Sequence, residues 1–439
     1  MSALAELFVR RGYSVTGCDT NIASVGDLKR LGVGVLEGHD PSHVIGASEI
    51  IVTSAVSKNH PELERARELG IPVIRRAEAL GRAVSGGQVV GVAGTHGKTT
   101  TTVMTTQALA SAGLNPTGVV GGRVEAWNGN LSAGGDSLFV VEADEYDRSF
   151  HALAPTVAVV TNMEADHLDI YPGGIDEIRD AFAQYIRGAR TVVLCADDRG
   201  ASSLPTSSTA EVIRYGSTSQ DARLVASDVR PERGGTRFNV VYDGKAIGEL
   251  KLAVPGLHNV RNALAAVASG IALGVDLGAM RPGLEAFTGV ERRFQLLGDT
   301  AGVTIVDDYA HHPTEIEATL EAARAAFPER RIIAAFQPHL YTRTRDFHVA
   351  FAEALSGADI VFLANLYPAR EQPIEGVSAE MIASPMRDAG RAPIWEGPRD
   401  ELAAALAAVV CEGDVVITIG AGDITQTGPE LKALLETRV

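Results

Sequence analysis

The residues Gly94-Thr95-His96-Gly97-Lys98-Thr99-Thr100 set two glycines, a lysine and adjacent hydroxyls at the end of an apolar run, Val89-Val90-Gly91-Val92-Ala93. This pattern suits polyphosphate. Glycines let main-chain N–H groups approach the anion, Lys98 brings a point charge, and Thr99 or Thr100 can hold a Mg²⁺. The loop is a shortened form of the usual G-x-x-x-x-G-K-[ST] pattern, because Val92 stands where the first glycine belongs. The plain alternative is a Gly/Thr-rich turn with a surface lysine. A strand pattern before the loop and a helix pattern after it argue against that.

Two more apolar runs end in chemistry. Leu138-Phe139-Val140-Val141 leads into Glu142-Ala143-Asp144-Glu145-Tyr146-Asp147, a carboxylate run suited to a hard cation or, more plainly, a solvated acidic turn. Val157-Ala158-Val159-Val160 leads into Thr161-Asn162-Met163-Glu164-Ala165-Asp166-His167-Leu168-Asp169, where His167 can serve as metal ligand, general base or part of a helix cap. Asn259 and Asn262, three apart before a helix pattern, either read a base edge or cap the helix. His311 and His312 lie between an Asp pair and a helix start and are candidates for substrate binding. Arg343 and Arg345, after Gln337-Pro338-His339, suit a carboxylate or phosphate, or are surface arginines. Tyr367-Pro368-Ala369-Arg370-Glu371 and Gly420-Ala421-Gly422-Asp423 close later runs in the same way.

These residues need elements to carry them. Residues 1–86 alternate short helices with β runs such as Ile50-Ile51-Val52 and read as a small α/β domain with a parallel sheet. They open with a helix and then a strand, Ser14 to Asp19. A domain of this type normally opens with a strand and a glycine turn, so the chain begins one element late. Ser85-Gly86-Gly87 marks a boundary. Residues 87–293 carry the phosphate loop and a β-rich insertion with a hairpin turn at Asp243-Gly244. Residues 294–439 form a third alternating segment. In open α/β sheets ligands gather at the carboxyl ends of strands, so the motifs of the second segment share one crevice.

Composition narrows the class. A chain of 439 residues with 45% hydrophobic and 21% charged content is globular, with room for several domains. Its net charge of −16 argues against non-specific nucleic-acid binding. The basic pair Arg292-Arg293 still permits anionic small substrates. Cys18, Cys195 and Cys411 are scattered with no CxxC pair, which fits a reducing cytoplasm without a disulfide framework. No apolar run is long enough to span a membrane, and nothing in the sequence sets the oligomeric state.

Taken in order, these motifs resemble the Mur ligase family of peptidoglycan synthesis, and most of all its alanine-adding branch. The match runs from Ser54-Ala55-Val56 and Asn59-His60-Pro61-Glu62 through the phosphate loop, the Glu142 and His167 motifs, His258 to Asn262 and Arg292-Arg293-Phe294, to Asp307–Pro313, Gln337–Arg345 and Tyr367–Glu371. The resemblance implies an N-terminal Rossmann-like domain for a UDP substrate (1–86, N-terminally truncated), a central P-loop ATPase domain (87–293) and a C-terminal Rossmann-like α/β domain for the amino acid (294–439). It implies ATP-driven joining of L-alanine to UDP-N-acetylmuramate through an acyl phosphate, with Mg²⁺. By position, Gly94, Thr95, His96, Gly97, Lys98, Thr99 and Thr100 would bind the phosphates. Thr99, Glu142 and His167 would hold metal. His258, Asn259 and Asn262 would meet the adenine end, and Arg293 and Asp308 would close over the nucleotide. Tyr309, His311, His339 and Arg343 would surround the alanine, with His311 a candidate base. Asp19, His39 and Ser54 would meet UDP, and Gly121, Gly122, Asn128 and Asn130 the sugar or diphosphate. Three points depart from the usual pattern or sort within the family. The Gly-rich UDP loop would lie just before Met1. Leu340 stands where many relatives carry arginine. No lysine follows the Asp-His motif until Lys245, which agrees with the alanine-adding branch. The remaining alternatives are a recycling ligase that adds a whole peptide, and a nucleotide-binding module without chemistry.

Overall fold

The computed structural model describes residues 1–20, 26–232, 234–369 and 371–437. Arg370, part of the Tyr367–Glu371 motif, lies outside the described residues. The chain divides into two compact units. One comprises Met1–Asp228, Phe238–Leu250 and Arg261–Phe287, the other Val229–Arg237, Lys251–Val260 and Thr288–Val439.

The first unit opens with helix Ser2–Arg10 and then strand Thr16–Asp19, the order expected from the sequence. Ala3, Leu4 and Leu7 are its buried side chains, one stripe of an amphipathic helix. Two parallel pairs follow: Thr16–Asp19 with Gly34–Glu37, and Ile50–Val52 with Val73–Arg75.

A ten-stranded sheet carries the phosphate loop. Its order is Lys245–Leu252, Gly235–Tyr242, Leu224–Glu232, Glu211–Gly216, Thr191–Cys195, Val157–Val160, Gln88–Ala93, Leu138–Glu142, Thr117–Val124, Gly129–Ser132. Gln88–Ala93 sits between Leu138–Glu142 and Val157–Val160 and is parallel to both. All but its first residue are buried, as a run of Val and Ala without alternation predicts for a strand covered on both faces. The three motif-bearing strands are therefore neighbours, and their carboxyl ends lie side by side. The expected hairpin is present: Asp243 (φ 46°) and Gly244 (φ 75°) join Gly235–Tyr242 to Lys245–Leu252, both in the left-handed conformation that a tight two-residue turn requires.

The second unit holds a six-stranded sheet, in the order Gln295–Thr300, Val303–Asp308, Val415–Ile419, Ile332–Phe336, Ile360–Ala364, Trp395–Gly397. Its first pair is antiparallel and the rest are parallel. Apolar layers cover both faces, one built around Phe336, Phe351 and Leu355, the other around Phe362, Leu402 and Leu431. Among the described residues no helix is long and apolar enough to cross a membrane.

Candidate active site

The phosphate loop leaves strand Gln88–Ala93 and enters helix Lys98–Ser111. Two of its glycines are obligatory. A Cβ on Gly94 (φ 140°) would lie 2.0 Å from Thr161 Oγ1, and one on Gly97 (φ 78°) would lie 2.7 Å from Asn262 Oδ1. The loop is clamped by the end of the neighbouring strand. Asn162 accepts from the His96 N–H at 2.7 Å and donates to the His96 carbonyl at 3.0 Å. Thr161 Oγ1 donates to the same carbonyl at 2.6 Å, and the Thr95 N–H donates to the Asn162 carbonyl at 3.2 Å. The N–H groups of Thr95 and His96 are thus committed to Asn162, which narrows the sequence expectation that the whole loop cradles phosphate. The helix interior is rich in β-branched threonine. Thr102, Thr105 and Thr106 donate their hydroxyls to the carbonyls of Lys98, Thr101 and Thr102, which satisfies these groups in a buried helix.

Lys98 heads this helix. Its Nζ lies 2.6 Å from the Gly94 carbonyl, 3.1 Å from the Thr95 carbonyl and 2.8–2.9 Å from the two Glu145 oxygens. Burial disfavours charge on both partners. For Lys98 the carboxylates of Glu145, Asp144 and Glu142 outweigh it and hold the ammonium above its usual range. For Glu145 burial dominates and pushes the carboxyl up to about 7 despite Lys98. Thr99 Oγ1 donates to Glu142, 3.0 Å from each carboxylate oxygen, and the Gly121 N–H donates to Glu142 at 2.7 Å. Of the two hydroxyls the sequence left open, Thr99 is the one beside the acid. His167 Nε2 stands 3.9 Å from Glu145 and 3.7 Å from Asp166, with its ring edge-to-face against Tyr146. Its left-handed backbone (φ 53°) is not the extended conformation a helix N-cap usually takes. A hydroxyl and two carboxylates next to a clamped phosphate loop are donors a hard cation accepts.

Asn262 accepts from Thr101 Oγ1 at 3.1 Å, which ties helix Leu257–Ala272 to the phosphate-loop helix. Asn259 donates to the Pro255 carbonyl at 2.8 Å, a local bond of the capping kind. His258 is the second residue of the same helix.

In the second unit the candidates also stand at strand ends. Arg292 bonds Asp307 and the Gly420 carbonyl and lies over the Tyr309 ring, so it is bound into the structure. Arg293 crosses the same ring and pairs with Glu315 at 3.4 Å. Asp308 is buried and accepts the N–H groups of Phe294 and Ala310, each at 2.7 Å. Both oxygens thus brace the backbone around Arg293 and Tyr309. Burial, opposed by Arg293 and reinforced by Glu315, pushes this carboxyl up to about 6. The folded value exceeds the unfolded one, so burying the ionised group costs stability as pH rises from about 4 to 6. Asp308→Asn is expected to remove that slope: urea midpoints of wild type and variant should change relative to each other between pH 4 and 6 and run parallel above 7. Parallel curves throughout would refute it.

His311 Nδ1 lies 2.9 Å from the Tyr309 carbonyl and 3.1 Å from Glu315. A carbonyl only accepts, so Nδ1 carries the proton and Nε2 is the basic nitrogen. The His339 ring stacks on Tyr367 at 5.9 Å and sits 6.3 Å from His311. Arg343 is buried in the first turn of helix Tyr341–Leu355. Leu340, just before that helix, has φ 71°, a strained value for a leucine.

Three segments match known domains: residues 1–87 the Mur ligase family catalytic domain, 92–270 the Mur ligase middle domain, and 292–422 the Mur ligase glutamate ligase domain. The UDP-N-acetylmuramate–L-alanine ligase of Salinibacter ruber is 43% identical over 442 aligned positions, spanning 99% of this chain and 93% of that one. The chain belongs to the Mur ligase family. The ligase of the same name from Pelobacter propionicus is 42% identical over 99% of the chain and 96% of its own length. The crystal structure of UDP-N-acetylmuramate-alanine ligase from Thermotoga maritima superposes with a TM-score of 0.84 at 29% identity, covering 100% of this chain and 97% of that one. A murein peptide ligase from Psychrobacter arcticus shares the fold at 24% identity and a TM-score of 0.70. The architecture is thus the three-domain Mur ligase fold.

Other candidate residues of this Mur ligase are spread over the first unit. Ser54 and Asp19 are exposed beside their strands. Asn130 accepts from Ser2 Oγ at 3.1 Å, and Asn128 (φ 52°) ends a short helical turn. Gly121 reaches the site through Glu142, and Gly122 follows it on the same strand. Sequence reasoning missed Glu145 as the partner of Lys98. The signal was present in the acidic run, which did not say which carboxylate turns inward.

Proposed function

We propose that this Mur ligase uses ATP to join L-alanine to the lactyl carboxylate of UDP-N-acetylmuramate. The observation that carries the reading is the pairing of Lys98 with Glu145 and of Thr99 with Glu142 at the head of one clamped phosphate loop. The names of its relatives support the substrate. We assign residues 1–86 to the UDP substrate, 87–293 to ATP and 294–439 to the amino acid, and place the enzyme in the cytoplasm.

The lactyl carboxylate attacks the γ-phosphorus and ADP departs. The amine of alanine then attacks the acyl carbon, inorganic phosphate leaves, and one proton is lost from nitrogen. Lys98 exchanges Glu145 for the phosphate oxygens and neutralises charge on them. Thr99, Glu142 and His167 would hold Mg²⁺, which when bound supplies further neutralisation. An α-amino group has a pKa of about 8 or above, so its proton must be removed before attack. His311 Nε2 is the group assigned to accept it. His339, Tyr309 and Arg343 form the alanine subsite.

Phosphate release from ATP and UDP-N-acetylmuramate is expected to depend on added alanine and to ignore an alanyl-led tripeptide. Stimulation by the tripeptide alone would make the enzyme a peptide-recycling ligase. Turnover indifferent to both would reduce it to a nucleotide-binding module.

A further inference from the structure

Near the start of the chain, outside the phosphate site, one carboxylate gathers a thiol and three imidazoles. Glu62 lies in the first turn of helix Pro61–Glu68 and is 8% exposed. Its Oε1 accepts the Asp40 N–H at 3.1 Å and lies 3.0 Å from His43 Nδ1. Cys18 Sγ lies 3.1 Å from Oε1 and 3.3 Å from Oε2, and Oε2 faces His39 Nδ1 at 3.6 Å and His60 Nδ1 at 3.7 Å. Cys18 Sγ and His39 Nδ1 are 3.4 Å apart. His60 Nδ1 is buried without a hydrogen-bond partner, and the His39 and His60 rings meet edge-to-face at 4.7 Å.

The spacings among Cys18, His39 and Glu62 are those of three donor atoms around a tetrahedral ion. Bonds of about 2.3 Å to sulfur and about 2.0–2.2 Å to nitrogen and oxygen put neighbouring ligand atoms roughly 3.3–3.6 Å apart. One sulfur, one imidazole nitrogen and one carboxylate oxygen make a borderline-soft set, which selects zinc-like ions over magnesium. Asp40 and His43 hold the other carboxylate oxygen, as an outer shell does for a metal ligand. The ligands come from strand Thr16–Asp19, the segment after strand Gly34–Glu37, and the start of helix Pro61–Glu68.

We propose that Cys18, His39 and Glu62 bind a divalent transition ion of the zinc type, leaving the fourth position to water. Its role is structural: it ties together two strand ends and a helix start in residues 1–86. The site shares His39 with the residues assigned to UDP, and its test uses neither ATP nor alanine, so its failure and that of the ligase reading are distinguishable.

Tag-free full-length protein, stripped with chelator and kept reduced, is titrated with Co²⁺. One equivalent is expected to produce thiolate-to-cobalt charge transfer and the intense visible bands of a tetrahedral site, and one equivalent of Zn²⁺ should erase both. Cys18→Ser should lose the charge-transfer band while Cys411→Ser keeps it. His39→Ala should weaken binding about tenfold or more, and His43→Ala, which removes an outer-shell partner, about tenfold. Far-UV circular dichroism establishes that each variant is folded. Absence of tetrahedral cobalt bands in wild type, or an unchanged charge-transfer band in Cys18→Ser, would overturn the proposal.

Discussion

Lys98→Ala is expected to lower ATP turnover by about 10²–10³-fold, the effect of removing a single preorganised charge or donor at a developing oxyanion. The same substitution should also change stability, because it strands Glu145. Removing one partner of a buried ion pair costs about 3–5 kcal/mol when the other remains charged. Glu145 has a way out: its carboxyl is already pushed up to about 7 and can take a proton. Below pH 7 it is protonated in wild type and variant alike, so the deficit is constant there. Above pH 7 wild type ionises Glu145 against Lys98, whereas the variant has no cation for it. The stability deficit of Lys98→Ala should therefore widen as pH rises above 7. Lys98→Met/Glu145→Gln should abolish that widening and leave turnover dead. Urea unfolding at pH 6, 7.5 and 9 with phosphate release on the same preparations separates the two effects. A variant that keeps near wild-type phosphate release would remove Lys98 from the chemistry. A pH-independent deficit would instead remove Glu145 as its partner.

What the sequence makes legible follows from how local the physics is. The loop Gly94–Thr100 declares itself because a strand, a glycine turn and a helix start are set by near neighbours. The Asp243-Gly244 hairpin is legible for the same reason, and both residues take positive φ. The placing of the three motif strands side by side is not local. It rests on a pairing order that returns Gln88–Ala93 to the middle of the sheet, which no periodicity states. Within the acidic run, Glu142 ends a strand and Glu145 precedes a short, kinked helical turn. With no regular element between them, spacing cannot tell which one turns inward to Lys98. The contact of Cys18 with Glu62 spans 44 residues and two different elements, so nothing near either residue announces it. Leu340 reads as an ordinary apolar residue, yet it sits in a strained conformation between His339 and Arg343. Strain of this kind costs about 1–3 kcal/mol and persists where the surroundings impose it, often at functional sites.

Arg343 is the residue on which the amino-acid reading depends most. It lies in the first turn of helix Tyr341–Leu355, buried, just after the strained Leu340 and close in sequence to His339. A guanidinium offers a fixed fork of donors that matches a carboxylate, and a small amino acid has only one carboxylate by which to be held. Its partner in the reaction, the amine, must be neutral and is not available for an ion pair. Arg343→Ala should therefore raise the KM for alanine about 10–100-fold, the effect of losing a charged hydrogen-bonded contact of about 1.5–3 kcal/mol. The KM for ATP should stay within about twofold, since uniform binding lost at one substrate leaves the other untouched. Arg343→Lys keeps the charge but loses the fork, and should fall between wild type and Arg343→Ala. If the alanine dependence is unchanged while that for ATP shifts, Arg343 serves the nucleotide and the amino-acid subsite must be sought among Tyr309, His311 and His339. If both shift together with a lowered melting temperature, its role is to hold the first turn of the helix.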